Sequence, residues 1–295
     1  MQDIADFRLD PAAIDHVGVD LSRPECVLTQ SDGTLLVSDN RGGVTRIAAD
    51  GRQKLIGDMG GDPNGLAMDR EGTIYVANIG DGKLYRLHGN GRSEVVLDRF
   101  AGNRLGAVNF AYVDAADRLW ITISTVTEPR AEAIRNPRPD GYILRHDADG
   151  WRRVAEGFRF TNEIRIDRAN RFLYVAESAA GAVARLELRP DGSLGRAEPF
   201  GPRPLFEGAI VDGIAFDAAG NLWVTEISRN ALIVLKPDGT PVTVFEDPAG
   251  ALIHFPTSIA FGGEDLRTAY IGSLRMNRLA RFRVPFPGLP LRHWR

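Results

Sequence analysis

"DAAGNLWVTE", residues 217–226, decides how this chain is read. An acidic residue opens a tight turn, a glycine sits in it, and a β-rich run follows that ends on a small or acidic residue. The pattern returns as "SDGTLLVSD" from Ser31, "DREGTIYVAN" from Asp69, "DAADRLWITI" from Asp114, "DRANRFLYVAE" from Asp167 and "GGEDLRTAYIGS" from Gly262. Six copies at a spacing of roughly 40 to 55 residues match the period of four-stranded blades.

Working outward from each copy, a further β-rich segment follows, as in "GKLYRL" at Gly82, "GAVARLEL" at Gly181 and "NALIVL" at Asn230. A shorter apolar segment precedes it, as in "GLAM" at Gly65, "IRI" at Ile164 and "GIAF" at Gly213. Strand, turn, strand, loop, strand and a variable edge strand describe an antiparallel blade, and no long helical periodicity competes. A sandwich of hairpins would not require one register repeated six times, so an all-β, closed six-bladed β-propeller with a central channel is expected, as one domain over residues 1–295. Closure removes exposed sheet edges, and a terminal segment is expected to complete the last blade.

Composition narrows the partners. The 295 residues are 43% hydrophobic and 25% charged, enough for a sizeable core. A net charge of -3 and a pI near 6.0 give no basic footprint for nucleic acid. The single Cys26 excludes a disulfide framework or a cysteine metal cluster. The N-terminal "MQDIADFRLDPAAID" lacks the basic flank and apolar run of a signal peptide, and no apolar stretch is long enough to span a bilayer. These features predict a cytoplasmic protein with a small-molecule partner and no nucleic acid or membrane partner. They leave the oligomeric state open.

Aligning the copies places one polar residue of each just before its innermost strand: Glu25, Asn64, Asn109, Asn162, Asp212 and Thr257. In a propeller these positions converge on the axis. They can be read as a solvated tunnel lining, but two carboxylates in a narrow channel are costly without a compensating cation. Carboxylate and amide oxygens suit a hard ion, and Ca2+ tolerates irregular geometry where Mg2+ demands an octahedron. The five histidines are scattered without ligand spacing, which argues against zinc. Ca2+ is the expected cofactor, with Mn2+, Mg2+ and Zn2+ as alternatives.

With these residues in place, the chain resembles the calcium-dependent lactonases of the regucalcin and gluconolactonase family, whose relatives include organophosphate hydrolases such as diisopropylfluorophosphatase. The resemblance runs from "RPECVL" at Arg23 to "FPTSIAFGG" at Phe255. It implies a metal held by Glu25, Asn109 ("NFAYVD"), Asn162 ("TNEIRID") and Asp212 ("VDGIAFD"). Two departures bear on substrate: Glu25-Cys26-Val27 replaces the usual Glu-Gly-Pro, and Ala107 stands where an Arg is common. Glu163 replaces a common Gly after Asn162. It is either a second acid near the metal or part of a salt bridge, with Arg165 as one partner.

The resemblance implies a hydrolase that opens a lactone or related cyclic ester, with the metal polarising the carbonyl and Asp212 acting as base on water. Asn109, Asn64, Glu163, His254 and Arg138 are the expected substrate contacts. Arg138 lies with Arg130 and Arg135 in a long connection, Ser124 to Gly141, expected to cover the metal side of the channel. Phosphotriester hydrolysis at the same site and a non-catalytic scaffold with structural calcium are the alternative readings.

Overall fold

The computed structural model describes residues 3–294. Each repeat forms a four-stranded antiparallel sheet, its strands following chain order from the axis outward. Blade I comprises Val27–Thr29, Leu35–Asp39, Gly43–Ile47 and Gln53–Ile56. Blade II comprises Pro63–Met68, Ile74–Asn78, Lys83–Leu87 and Ser93–Leu97. Blade III comprises Val108–Val113, Leu119–Ile123, Gly141–Asp147 and Gly150–Phe158, and blade IV comprises Thr161–Ile166, Phe172–Glu177, Ala182–Glu187 and Glu198–Phe200. Blade V comprises Val211–Phe216, Leu222–Glu226, Ala231–Leu235 and Pro241–Glu246.

Blade VI is built from both ends of the chain. Pro256–Gly262, Thr268–Ser273 and Leu279–Arg283 are joined by Asp15–Val17 as the outermost strand, pairing Asp15 with Arg281 and Val17 with Leu279. Inner strands of successive blades contact one another all the way round, blade VI meeting blade I, and the protein is a closed six-bladed propeller.

The repeated turn has a common chemical cause. In each copy an Asp side chain accepts backbone N–H groups two to four residues ahead: Asp69 Oδ1 from Glu71 and Thr73, Asp114 Oδ1 from Ala116 and Arg118, Asp217 Oδ1 from Ala219 and Asn221. These bonds fix the turn before the second strand starts. In blades III and V the second carboxylate oxygen also accepts the indole N–H of a fully buried Trp, Trp120 at 2.8 Å and Trp223 at 3.1 Å.

The polar residue that ends each β-rich run also has a structural use. Glu177 accepts the Arg159 backbone N–H, and Glu226 accepts those of Ile210, Ser228 and Arg229. Asn78 accepts the Asp62 and Gly80 N–H groups in the same way. Those loops lead into the inner strands, so in blades II, IV and V the second strand holds the entry to its own channel wall.

The opposite end of the channel is covered by the C-terminal segment. Leu289 N donates to the Phe216 carbonyl, and His293 Nε2 and Trp294 Nε1 each lie 2.8 Å from the Thr29 carbonyl oxygen. Leu289, Leu291 and Trp294 pack across the ends of inner strands near Tyr112, Arg165 and Ala260.

Candidate active site

The side chains at the channel entrance are delivered by a repeated irregularity. Pro63, Val108, Thr161, Val211 and Pro256 each pair with the last residue of the neighbouring second strand. The ladder then shifts register before Leu66, Phe110, Ile164, Ile214 and Ile259. Asn64, Asn109, Asn162, Asp212 and Thr257 are the residues inside that bulge. The sequence places them just ahead of the strand; in the structure they are its second residue, because one paired residue precedes each bulge. Only Glu25 stands ahead of its strand.

Backbone geometry and close packing support the bulges. Arg23, Phe160 and Phe255, each two residues ahead of its channel residue, are left-handed, with φ of 49°, 62° and 51°, a conformation that costs a non-glycine residue about 1–2 kcal/mol. Hydroxyls on the second strands brace the following amide: Ser38 for Cys26 N, Thr122 for Phe110 N and Thr225 for Gly213 N. Glycine at position 213 is required by the next blade, since a Cβ there would come within 2.1 Å of the Thr257 carbonyl oxygen.

All six channel residues are buried. Asn64 Nδ2 donates to Glu25 Oε1 at 2.8 Å and to the Asn109 carbonyl at 3.0 Å, with Asn109 Oδ1 at 3.3 Å. Asn162 Nδ2 donates to Ser178 Oγ at 3.0 Å. Thr257 Oγ1 donates to the Glu25 carbonyl at 2.6 Å, closing the ring between blades VI and I. Asn162 Oδ1 and Asp212 Oδ1 are buried with no hydrogen-bond partner.

Electrostatics single out the same place. Burial pushes the Asp212 carboxyl well above the carboxylate range, and the neighbouring Glu25 and Glu163 carboxylates push it further. Burial raises Glu25 to about 7 against the opposing pull of Arg23 and the Asn64 hydrogen bond. Glu163 also rises to about 7, chiefly by burial, with Arg165 opposing and Glu25 adding to the rise. Three buried acids therefore crowd together, and two buried oxygens in the same place have no partner.

These observations test the donor set for a cation. Among the described residues no group of three His, Cys, Asp or Glu side chains forms a metal cage, so a site here must draw on amide oxygens. Asp212 Oδ1 and Asn162 Oδ1 offer two acceptors without donors, while Glu25 and Asn109 bring oxygens to the same ring. An all-oxygen mixed set is the donor chemistry of a hard divalent ion, and its charge opposes the rise that burial imposes on the carboxyls. The residues fit such an ion.

The remaining sequence candidates divide. Glu163 is engaged below the ring: its Oε2 lies 2.9 Å from Arg165 Nη2 and accepts the Ile214 N–H at 3.2 Å. Two residues span about 6.6 Å of strand, a gap that two long side chains close. His254 is half-buried in the loop entering blade VI, its ring packed edge-on against Phe255 at 5.0 Å. Arg138 and Arg135 are exposed. Arg130 turns inward, donating to the Ile79 carbonyl at 3.0 Å and to Asp62 at 3.2 Å, and its charge is felt by Glu25. Arg23 escapes a reading based on strand register because it lies outside the strand. Its Nη2 donates to Asn64 Oδ1 at 2.8 Å, and Arg-Pro before an acidic channel residue is the one local signal.

Comparison with known proteins follows the same lines. A family model described as SMP-30/Gluconolactonase/LRE-like region matches residues 85–275. The chain belongs to this family. Among curated relatives, the 6-deoxy-6-sulfogluconolactonase of Pseudomonas putida is 31% identical over 223 residues, covering 74% of this chain and 71% of the relative. Two solved structures share the propeller. A gluconolactonase from Xanthomonas campestris has a TM-score of 0.73 at 20% identity, covering 90% of this chain and 88% of its own. Regucalcin from Agrobacterium tumefaciens, described as a calcium-binding protein, has a TM-score of 0.75 at 18% identity, covering 95% and 97%. For this SMP-30/gluconolactonase-family chain, fold and relatives thus agree with the architecture read from the repeats.

Proposed function

We propose that the protein opens a sugar lactone or similar cyclic ester by hydrolysis, with a divalent ion, Ca2+ by its donor chemistry, held by Glu25, Asn109, Asn162 and Asp212. The observation that carries this reading is the buried, partnerless Asp212 Oδ1 beside the equally partnerless Asn162 Oδ1. Family membership and the name of the Pseudomonas relative, a lactonase, support the substrate class.

When bound, the ion supplies Lewis-acid polarisation of the lactone carbonyl. The chain's own residues do the rest. Asp212 takes a proton from water on the carboxylate oxygen not committed to the ion as that water adds to the carbonyl carbon, and the same proton passes to the ring oxygen when the C–O bond breaks. The products are one carboxylic acid and one hydroxyl. Asn64 orients Glu25 through the 2.8 Å bond to Oε1, and Ser178 fixes the Asn162 amide so that its oxygen points away from the hydroxyl. The C-terminal segment closes the far end, limiting water to the entrance where substrate arrives.

The test is a pH-stat assay on gluconolactone with purified protein, with Ca2+ and with excess chelator. Ring opening that needs the ion is expected. A rate equal to the uncatalysed one in the presence of Ca2+, Mn2+, Mg2+ and Zn2+ in turn would overturn the proposal.

A further inference from the structure

Arg23 is a charged loop residue at the ring that the reaction above does not use. It is half-buried at the mouth, in a left-handed conformation, and Glu25 N donates to its carbonyl at 2.7 Å. Its Nη2 is engaged by Asn64 Oδ1, but Nη1 is buried with no partner. A guanidinium is a planar fork suited to oxyanions, and a buried donor left unpaired is costly.

Charge accounting makes the unpaired donor informative. Glu25 and Asp212 line the ring and the Glu163–Arg165 pair lies below it; Arg23 is the cation felt by both Glu25 and Asp212, while Arg130 is felt by Glu25 alone. Arg165 is committed to Glu163. A divalent ion balances Glu25 and Asp212, and Arg23 is then a surplus positive charge at a half-buried site. The nearby acids are already taken, Asp39 by Arg41 and Asp62 by Arg130. A neutral lactone leaves that charge uncompensated; a lactone with an acidic substituent does not. A cleft of about 740 Å³, lined by Ala107, Thr125 and Arg130, opens between blades II and III. Ala107, with its small side chain, lies two residues ahead of Asn109.

We propose that Arg23 is a specificity residue that binds an oxyanion on the substrate, selecting lactones that carry an additional carboxylate, sulfonate or phosphate. This rests on the metal-assisted lactonase reading, and the experiment has two arms so that the two can fail separately. The first measures kcat/KM for gluconolactone and for the same lactone bearing a phosphate or a sulfonate on carbon 6. A preference of about tenfold or more for the charged substrates is expected, the scale of one charge-assisted hydrogen bond from Nη1. That ratio should collapse toward one in Arg23→Met and be partly kept in Arg23→Lys, with melting curves showing that both variants fold. The second arm titrates 1,5-anhydroglucitol and its 6-phosphate, which cannot be hydrolysed, into Ca2+-loaded protein by calorimetry.

Arg23-dependent binding of the 6-phosphate by a protein that hydrolyses no lactone leaves the anion site standing and removes the lactonase reading. Equal turnover and equal binding of neutral and charged partners, or a ratio unchanged in Arg23→Met, overturns the role of Arg23 while leaving the lactonase reading intact.

Discussion

Glu163 Oε2 lies 2.9 Å from Arg165 Nη2 and at the same time accepts the backbone N–H of Ile214, two residues past Asp212 on the next blade. The guanidinium is itself stacked over the Phe110 ring, 4.8 Å from its centroid, and Arg165 Nη1 donates to the Ile164 carbonyl at 2.8 Å. One buried ion pair therefore ties blades III, IV and V together beneath the proposed metal.

Removing one member of this pair strands the other. Glu163→Ala is expected to cost about 3–5 kcal/mol, because it leaves Arg165 charged and buried. Arg165→Met is expected to cost less near pH 6 than at pH 8, since Glu163, already raised to about 7 by burial, can then be neutral. The double variant Glu163→Ala with Arg165→Met should recover most of the loss. Denaturant unfolding of the four proteins checks this; additive losses would show that the two residues do not act as a pair.

Calcium and pH should act on stability through the same carboxyls. Glu25 and Glu163 rise to about 7 from an ordinary 4.5, and Asp212 also rises, each chiefly by burial. A carboxyl whose folded value is raised takes up protons more readily in the native state. Its contribution is present below about 4.5 and is lost as pH climbs through about 7. The ion-free protein should therefore weaken over this window. Ca2+ competes with protons for Glu25 and Asp212, so the gap in melting temperature between Ca2+ and chelator should widen from pH 5 to pH 8. Taking the difference at each pH cancels exposed carboxyls with lowered values, such as Asp265 at about 2. A gap that is flat or shrinks with pH would contradict the assignment of these acids to the ion.

The fold was legible because closure imposes one register on six short segments, and a register leaves a sequence trace: an Asp that caps the turn, then alternating residues. The candidate ring was legible for the same reason, since Asn64, Asn109, Asn162, Asp212 and Thr257 occupy one bulge position. Arg23 and Arg130 were harder to place. They reach the ring from loops, where contacts depend on side-chain direction and not on spacing. Arg138 illustrates the converse: it shares a loop and a charge with Arg130, yet it is exposed while Arg130 is anchored on Asp62. Glu163 and Arg165 sit two apart on one strand, and only their burial turns ordinary spacing into an ion pair.

The N-terminal closure should be a large part of the stability. Asp15–Val17 completes blade VI, Leu9 N donates to the Val244 carbonyl, and Ile4 and Leu9 are buried in the blade V and VI core. Deleting residues 1–18 exposes the edge of Leu279–Arg283 and loses those two side chains, about 3–6 kcal/mol at the usual burial value. Thermal unfolding should show a lowered midpoint, and light scattering should show association through the bared edge. An unchanged midpoint would mean that blade VI is held by other contacts.

Asp212→Asn separates ion holding from proton transfer. The amide keeps the size of the carboxyl and one oxygen, and Asp212 Oδ1 makes no hydrogen bond whose loss would disturb the bulge. The fold should survive, and the ion-free variant should melt at or above wild type, because a buried acid crowded by Glu25 and Glu163 has been removed. Lactone turnover should fall by roughly two to four orders of magnitude, the range for loss of a general base. Ca2+ affinity, read by calorimetry, should weaken because one anionic ligand is gone. Saturating the variant with Ca2+ then discriminates the roles: activity that returns assigns Asp212 to holding the ion alone, whereas activity that stays low at full occupancy assigns it the proton. The second outcome is expected if Asp212 is the base proposed above.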